Sequence, residues 1–262
     1  MLLLSTSSLS GYGLHRIFSF AKKAKYDGID LVLTPKDFDN WDEDYVKSLS
    51  DEFALPVLSI RAPHRDLNEK KVDKIVSLAI KLKSQNITFF PPYITDKNTT
   101  WYTKYLTKVK KDKNISISIA NVEAKFIFFI IPEYKNASLM DIKKITGDTA
   151  LDISKIDSST SVDIMKAQKA LGNSLKNIYV SDINGPAKGL MPGNAGGGTS
   201  YLPLESFLMK LRVSGYGAFI TLDVNNKELG VGNEEKVLFN LEYFKKYYEK
   251  HFLDIKQTDT KF

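Results

Sequence analysis

Residues 17–33 read Ile17-Phe18-Ser19-Phe20-Ala21-Lys22-Lys23-Ala24-Lys25-Tyr26-Asp27-Gly28-Ile29-Asp30-Leu31-Val32-Leu33. Ile17, Phe18, Ala21 and Ala24 recur at helical spacing, Asp27-Gly28 is a turn signal, and Gly28–Leu33 is a short apolar run. A helix that enters a strand through a tight turn is half of a strand–helix repeat. Working outward, the same unit recurs. The predicted strands are Leu2–Thr6, Gly28–Leu33, Pro56–Ala62, Asn86–Phe90, Ile115–Val122, Ala150–Ile153, Lys176–Ser181 and Ala218–Val224. Apolar helical stripes follow the others too: Tyr45, Val46 and Leu49 after the second, Val72, Ile75 and Val76 after the third, and so on to Val237, Leu241 and Phe244 after the eighth. Strands alternating with helices require right-handed crossovers and a parallel sheet. Eight units in 262 residues fit an α/β fold of one kind, a closed (β/α)8 TIM barrel, better than an open sheet. No Pro/Ser-rich linker divides the chain, so the expectation is one domain over residues 1–262. The two long loops, 123–136 and 183–200, fall at the strand ends where such barrels build their sites.

Composition narrows the functional classes. Hydrophobic residues at 43% and charged residues at 26% are ordinary for a globular chain and exclude disordered, collagenous and coiled-coil classes. The longest apolar run, Phe126 to Ile131, stops at Pro132, far short of a membrane span. Met1-Leu2-Leu3-Leu4-Ser5 lacks a basic leader, so no signal peptide, a cytoplasmic location and no membrane partner are expected. Cysteine is absent, which removes disulfides, thiolate metal sites and a thiol nucleophile. The net charge of +6 is carried by lysine; the arginines are Arg16, Arg61, Arg65 and Arg212 alone. Lysines dispersed singly or in pairs, even in the run from Lys104 to Lys113, read as solvated helix faces, so no specific nucleic-acid partner is expected.

Six segments in register then resemble the xylose isomerase-like TIM barrel superfamily, which includes sugar and sugar-phosphate isomerases and epimerases and endonuclease IV. They are Tyr26-Asp27-Gly28-Ile29-Asp30-Leu31, Ser59-Ile60-Arg61-Ala62-Pro63-His64, Ala150-Leu151-Asp152-Ile153-Ser154-Lys155, Ile178-Tyr179-Val180-Ser181-Asp182, the stretch from Pro192 to Gly198, and Gly215 to Val224. The resemblance spans essentially the whole chain. It implies a site at the C-terminal ends of the strands and, in typical members, a divalent metal held by carboxylates and histidines there.

The departures from that pattern concern the metal. The third-strand histidine position is Arg61, the fourth-strand position is Phe90, the sixth is Lys155, the seventh is Tyr179, and the eighth-strand glutamate is the shorter Asp223. For the fifth strand two registers are open. Ile115, Ile117 and Ile119 alternate with Ser116, Ser118 and Ala120, so period two gives Ala120 the lumen position of the family glutamate; a bulge would give it to Glu123. The expectation is therefore no metal cofactor. The alternative is a divalent cation such as Mg or Mn on Glu123, Asp152, Asp182 and Asp223, an oxygen-only set that hard cations accept. Arg61 and Lys155 would take the metal's electrostatic role.

Candidate catalytic residues are Asp152, Lys155, Asp223 and His64; candidate substrate-binding residues are Arg61, Tyr179, Asp182 and Tyr93. Carboxylates accept hydrogen bonds from hydroxyls, arginine takes an anion, and His64 is the histidine best placed for acid–base work. Tyr179 and Tyr93 would stack on a sugar ring. Asp152 and Lys155, three apart at a strand end, are expected to pair; a Schiff-base role for Lys155 needs a desolvated amine. His15 and His251 read as structural, and Gly196-Gly197-Gly198 as a loop whose backbone N–H groups suit a phosphate. The implied function is a sugar or sugar-phosphate isomerase or epimerase, acting without the usual metal on a small hydroxylated ligand. The alternatives are a ligand-binding barrel without turnover and an endonuclease IV-like nuclease.

Overall fold

The computed structural model describes residues 1–156, 163–193 and 202–253. In chain order the strands are β1 (Leu2–Ser5), β2 (Gly28–Val32), β3 (Val57–Arg61), β4 (Asn86–Phe89), β5 (Ser116–Ala120), β6 (Phe126–Ile127), β7 (Ile131–Pro132), β8 (Asp148–Asp152), β9 (Leu175–Val180), β10 (Asp182–Asn184), β11 (Ala187–Leu190) and β12 (Phe219–Leu222). Eight of them close a barrel in the order β1-β12-β9-β8-β5-β4-β3-β2, every pair parallel. This is the TIM barrel expected from the alternation. The helices α1 (Leu14–Lys23), α2 (Glu43–Glu52), α3 (Glu69–Leu82), α4 (Leu106–Lys113), α5 (Leu139–Thr146), α6 (Ile164–Leu171), α7 (Leu204–Val213), α8 (Asn226–Leu229) and α9 (Glu234–Tyr248) cover it. Their buried faces largely follow the predicted stripes; in α3, Val72, Ile75, Val76 and Ala79 are all buried, while Ile80, also expected on that face, is half exposed. No helix among the described residues is long and apolar enough to cross a membrane.

The strands are shorter than predicted where the chain leaves the barrel. The first ends at Ser5, because Thr6–Leu9 coils into a 3-10 helix. The fifth shrinks to Ser116–Ala120, and the eighth to Phe219–Leu222. Both long loops carry structure that the sequence reading left out. Strands β6 and β7 pair as an antiparallel hairpin in the first, and β10 and β11 in the second. The Gly196-Gly197-Gly198 run lies outside the described residues.

The barrel interior explains why the site is polar. Leu3, Leu58 and Phe219 form a small apolar cluster at the N-terminal end. Above it polar side chains bond to one another across the lumen: Ser118 Oγ donates to Asn86 Oδ1 at 2.6 Å and Thr221 Oγ1 to Asn177 Oδ1 at 2.8 Å. Phe90, Ala120, Ala150 and Tyr179 pack together nearer the C-terminal end. Ala120 thus faces the lumen, and Glu123 lies beyond the strand.

Gly28 opens β2 because nothing larger fits: an added Cβ would stand 2.7 Å from the carbonyl oxygen of Pro56 and 2.9 Å from Leu58 Cδ1. The oxygen is backbone and already accepts from Ile29 N at 2.9 Å, so it has little freedom to retreat. Gly28→Ala is expected to cost about 1–3 kcal/mol from overpacking, lowering Tm by roughly 2–4 °C per kcal/mol. A thermal melt indistinguishable from wild type would show that the β2–β3 register relaxes freely.

Candidate active site

A guanidinium sits across the barrel axis. Arg61, the last residue of β3, donates from Nη1 to Asp223 Oδ2 at 2.8 Å and from Nη2 to Asp30 Oδ2 at 2.8 Å and Ser5 Oγ at 3.2 Å. Its carbon lies 4.0 Å over the Tyr179 ring, and the Tyr179 hydroxyl donates to Thr88 Oγ1 at 2.9 Å. The ring face expected to stack on a sugar is therefore covered by Arg61, and Tyr179 is buried. Burial raises the Asp30 pKa, partly offset by Arg61 and Ser59. For Asp223 burial works upward too, but the charge and hydrogen bond of Arg61, with the Ser7 hydroxyl, outweigh it and hold the carboxyl at about 2. Ser7 Oγ donates to Asp223 Oδ1 at 2.6 Å. Asp30 Oδ1 and Arg61 Nε are buried without a hydrogen-bond partner.

Beside this cluster, the end of β8 builds a second ion pair. Asp152 caps the 3-10 turn Ile153–Lys155 by accepting from Ser154 N at 3.1 Å and from Ser154 Oγ at 2.7 Å. That turn brings Lys155 Nζ back to Asp152 Oδ2 at 2.9 Å. Asn121, one residue past β5, clamps the Asp152 backbone by donating to its carbonyl at 2.9 Å and accepting from its N–H at 2.7 Å. With a carboxylate on its amine, Lys155 has the opposite of the desolvated setting a Schiff-base nucleophile needs.

Asp152, Lys155 and Asp223 line one open cleft of about 560 Å3 with Ser7, Glu123, Lys188 and Asn225. Glu123 accepts from Lys188 Nζ at 2.8 Å, tying the loop after β5 to the β10–β11 hairpin across the mouth. Asn225 fastens the same hairpin, donating to the Lys188 carbonyl at 2.6 Å.

Four expectations are corrected by this geometry. Arg61 does not line the cleft with Lys155; drawn inward by Asp30 and Asp223, it borders a neighbouring cleft of about 370 Å3 with His64, Arg65 and Tyr93. Asp182 lies apart, buried beside Gly193, Leu204 and Tyr247; with Tyr179 in the lumen and Ser181 in the cleft, alternation gives Asp182 the outward parity of Val180. The tentative metal set Glu123, Asp152, Asp182 and Asp223 is thus not assembled, and among the described residues no three His, Cys, Asp or Glu side chains converge to hold a metal. Tyr93 is on the rim, but Arg65 lies 4.1 Å over its ring and Tyr134 packs at 4.6 Å.

His64 stacks on Phe90 at 3.6 Å between centroids. Crowding of the ring, then the charges of Lys155 and Arg61, push its pKa down to about 3. Its outer edge is open to solvent; the downward shift leaves a neutral imidazole at pH 7, a weaker base than an ordinary histidine. His15 is exposed on α1, 3.1 Å from Glu52, and His251 is buried beside Tyr247. The site residues missed by sequence reasoning are Asp30, Ser7, Asn121, Lys188 and Asn225. Only Asp30 carried a signal, an acid inside an apolar run.

The residues present do not fit a divalent metal. Ala120 and Tyr179 supply no ligand at their positions, and Asp152 and Asp223 are each bound to a cation of the chain.

No family model matches the chain. Among curated proteins it is similar to an uncharacterized protein of Mycobacterium leprae (strain TN), 25% identical over 128 residues, which are 45% of each chain. It is also similar to an uncharacterized protein of Mycobacterium tuberculosis (strain ATCC 25618 / H37Rv), 30% identical over 98 residues, 34% of this chain and 35% of the relative. The matched region thus spans less than half of these relatives. Solved structures match over nearly the whole chain. A D-tagatose 3-epimerase-like protein is 18% identical with a TM-score of 0.65, covering 95% of this chain and 97% of the other. The IOLI protein with a bound zinc atom is 13% identical with a TM-score of 0.69 over 96% and 99%. A xylose isomerase domain containing protein from Salmonella typhimurium LT2 is 12% identical with a TM-score of 0.63 over 94% and 96%. This chain shares the closed TIM-barrel fold of these structures.

Proposed function

We propose that this barrel is a metal-independent isomerase or epimerase of a small hydroxylated molecule, of the sugar or sugar-phosphate class. The observation that supports it is the convergence of Asp152, Lys155 and Asp223 on one open cleft at the barrel mouth. Ionised Asp223 accepts a hydrogen bond from a substrate hydroxyl. Lys188 and Lys155 offer ammonium groups to a carbonyl oxygen or a phosphate. Asp152 removes the proton from the hydroxyl-bearing carbon next to the carbonyl, and the electron pair moves onto the carbonyl oxygen beside Lys155. For isomerisation the hydroxyl proton passes to that oxygen while Asp152 returns its proton to the former carbonyl carbon. For epimerisation a water on the opposite face gives the carbon its proton while the resulting hydroxide takes the proton from Asp152. The D-tagatose 3-epimerase-like neighbour agrees with this class of reaction. A second reading, binding without turnover, draws on the short Lys155–Asp152 contact of 2.9 Å, which satisfies both groups before any ligand arrives.

The two readings separate in D2O. Incubated with aldoses, ketoses and their phosphates in the presence of EDTA, the protein is expected to exchange the carbon-bound proton of at least one substrate for deuterium, seen by NMR. Ligand-induced stabilisation with no exchange would favour the binding reading. Neither exchange nor stabilisation with any of them would remove the assignment to this substrate class.

A further inference from the structure

The most anomalous surface of the molecule is the β6–β7 hairpin. Its run Phe126-Ile127-Phe128-Phe129-Ile130-Ile131 exposes Phe126 at 57%, Phe128 at 81%, Phe129 at 98% and Ile130 at 80%. At about 200 Å2 per phenylalanine, the three phenylalanines alone present on the order of 500 Å2 of apolar surface. That is the upper end of the patches ordinary monomers carry. The turn is also strained: Phe128 has φ +50° and Phe129 φ +63°, a backbone region that suits glycine or asparagine and penalises bulky residues. Two aromatic side chains stand where the turn itself would favour small ones.

The surroundings are layered. Below the tip, Tyr134 pairs with Tyr93, the rings 4.6 Å apart, and the Tyr134 hydroxyl donates to the Tyr93 hydroxyl at 3.3 Å. Ile94 is half exposed beside them. At the base are the cations Arg65, stacked on Tyr93, Lys97, Lys125 and Lys135, with the acids Asp96, Glu123 and Glu133 between them. With Asp66 beside Arg65 and Lys188 on Glu123 counted, the cations exceed the acids by one, and the whole chain carries +6.

We infer that this hairpin is a membrane-surface anchor that inserts its Phe128–Ile130 tip into the interface of a bilayer carrying acidic lipids. An apolar tip, a tyrosine collar and a cationic base match, in order, the acyl boundary, the headgroup level and the anionic surface. A protein partner fits less well. A projecting point of this size falls short of the roughly 800 Å2 per partner of a stable protein interface. The absence of a spanning helix among the described residues is unaffected, since the hairpin lies in the interface and does not cross. The loop that carries it begins at Glu123, which lines the catalytic cleft, so anchoring sets the mouth beside the lipid surface.

The test is co-sedimentation of the full chain with vesicles of phosphatidylcholine alone and with phosphatidylserine added. The comparison is the double variant Phe128→Asn/Phe129→Asn, whose asparagines tolerate the positive φ; its thermal melt is expected to match or exceed wild type. The expected result is sedimentation of wild type with phosphatidylserine vesicles, weakened by high salt, and at least a tenfold loss of affinity in the variant. Failure of wild type to sediment with either vesicle overturns the proposal. Equal binding to both vesicles overturns the acidic-lipid assignment. Concentration-dependent self-association that the double variant abolishes, without vesicle binding, assigns the hairpin to a second copy of the chain instead.

Discussion

Arg61→Ala is expected to lose about 3–5 kcal/mol of stability, because removing one partner of a buried ion pair leaves the other charge uncompensated. Here two carboxylates lose the same partner: Asp30, fully buried, and Asp223, each bonded to the guanidinium at 2.8 Å. The stacking contact with Tyr179 goes as well. For a chain of this size the loss corresponds to a fall in Tm on the order of 10 °C. The pH dependence has a definite sign. In wild type the Asp223 carboxyl is held at about 2, below its unfolded value near 3.9. Its contribution is therefore present above pH 4 and is lost as pH falls through 2. In the variant, burial without Arg61 raises both carboxyls, the folded state takes up protons, and the deficit relative to wild type shrinks as pH falls from 7 toward 4. A neutral-pH loss below about 1 kcal/mol, typical of exposed pairs, would mean that the axial cluster contributes little to holding the barrel together.

The second large effect is expected on the proposed isomerase or epimerase turnover. Asp152→Asn keeps the shape of the side chain and removes the base, and is expected to lower the rate of substrate deuterium exchange by roughly 10^2 to 10^4. Lys155→Met removes the ammonium group next to it. Asp152 then keeps its bonds from Ser154 N and Oγ, and the lost pair is partly exposed on the lysine side, so stability is expected to fall by about 1 kcal/mol or less. Exchange should fall in kcat as well as in kcat/KM, because the interaction with the developing oxyanion is made in the transition state. A rise in KM with kcat unchanged would make Lys155 a binding group only.

The barrel was legible because its physics is repetitive. Buried parallel strands appear as short apolar runs and the helices that cover them as stripes at helical spacing, which is why Gly28–Val32 and the Ile17–Phe18–Ala21 face could be read directly. Alternation also gave Ala120 its lumen position, since Ser116, Ser118 and Ala120 share one side of β5. The Asp152–Lys155 contact followed from a spacing of three at a strand end. What stayed hidden depends on distance in three dimensions. Nothing near Arg61 in sequence indicates that Asp30 and Asp223 would draw it inward and away from the cleft. Asp182 shares the outward parity of Ile178 and Val180, while Tyr179 and Ser181 face inward, so its place at a strand end does not bring it to the mouth. The β6–β7 hairpin has no sequence signal of its own, since a run of six apolar residues has no periodicity that distinguishes a turn from a strand.

In the proposed function, cations of the chain take at this mouth the electrostatic role that a divalent metal would otherwise supply. Calorimetric titration of the sugar or sugar phosphate that most stabilises the protein, in excess EDTA and then with Mg2+ or Mn2+ added, tests it directly. The same affinity is expected in both conditions, with deuterium exchange that persists in EDTA and falls in Lys155→Met. Binding or exchange that appears only when the metal is restored, or exchange that is unchanged in Lys155→Met, would contradict it.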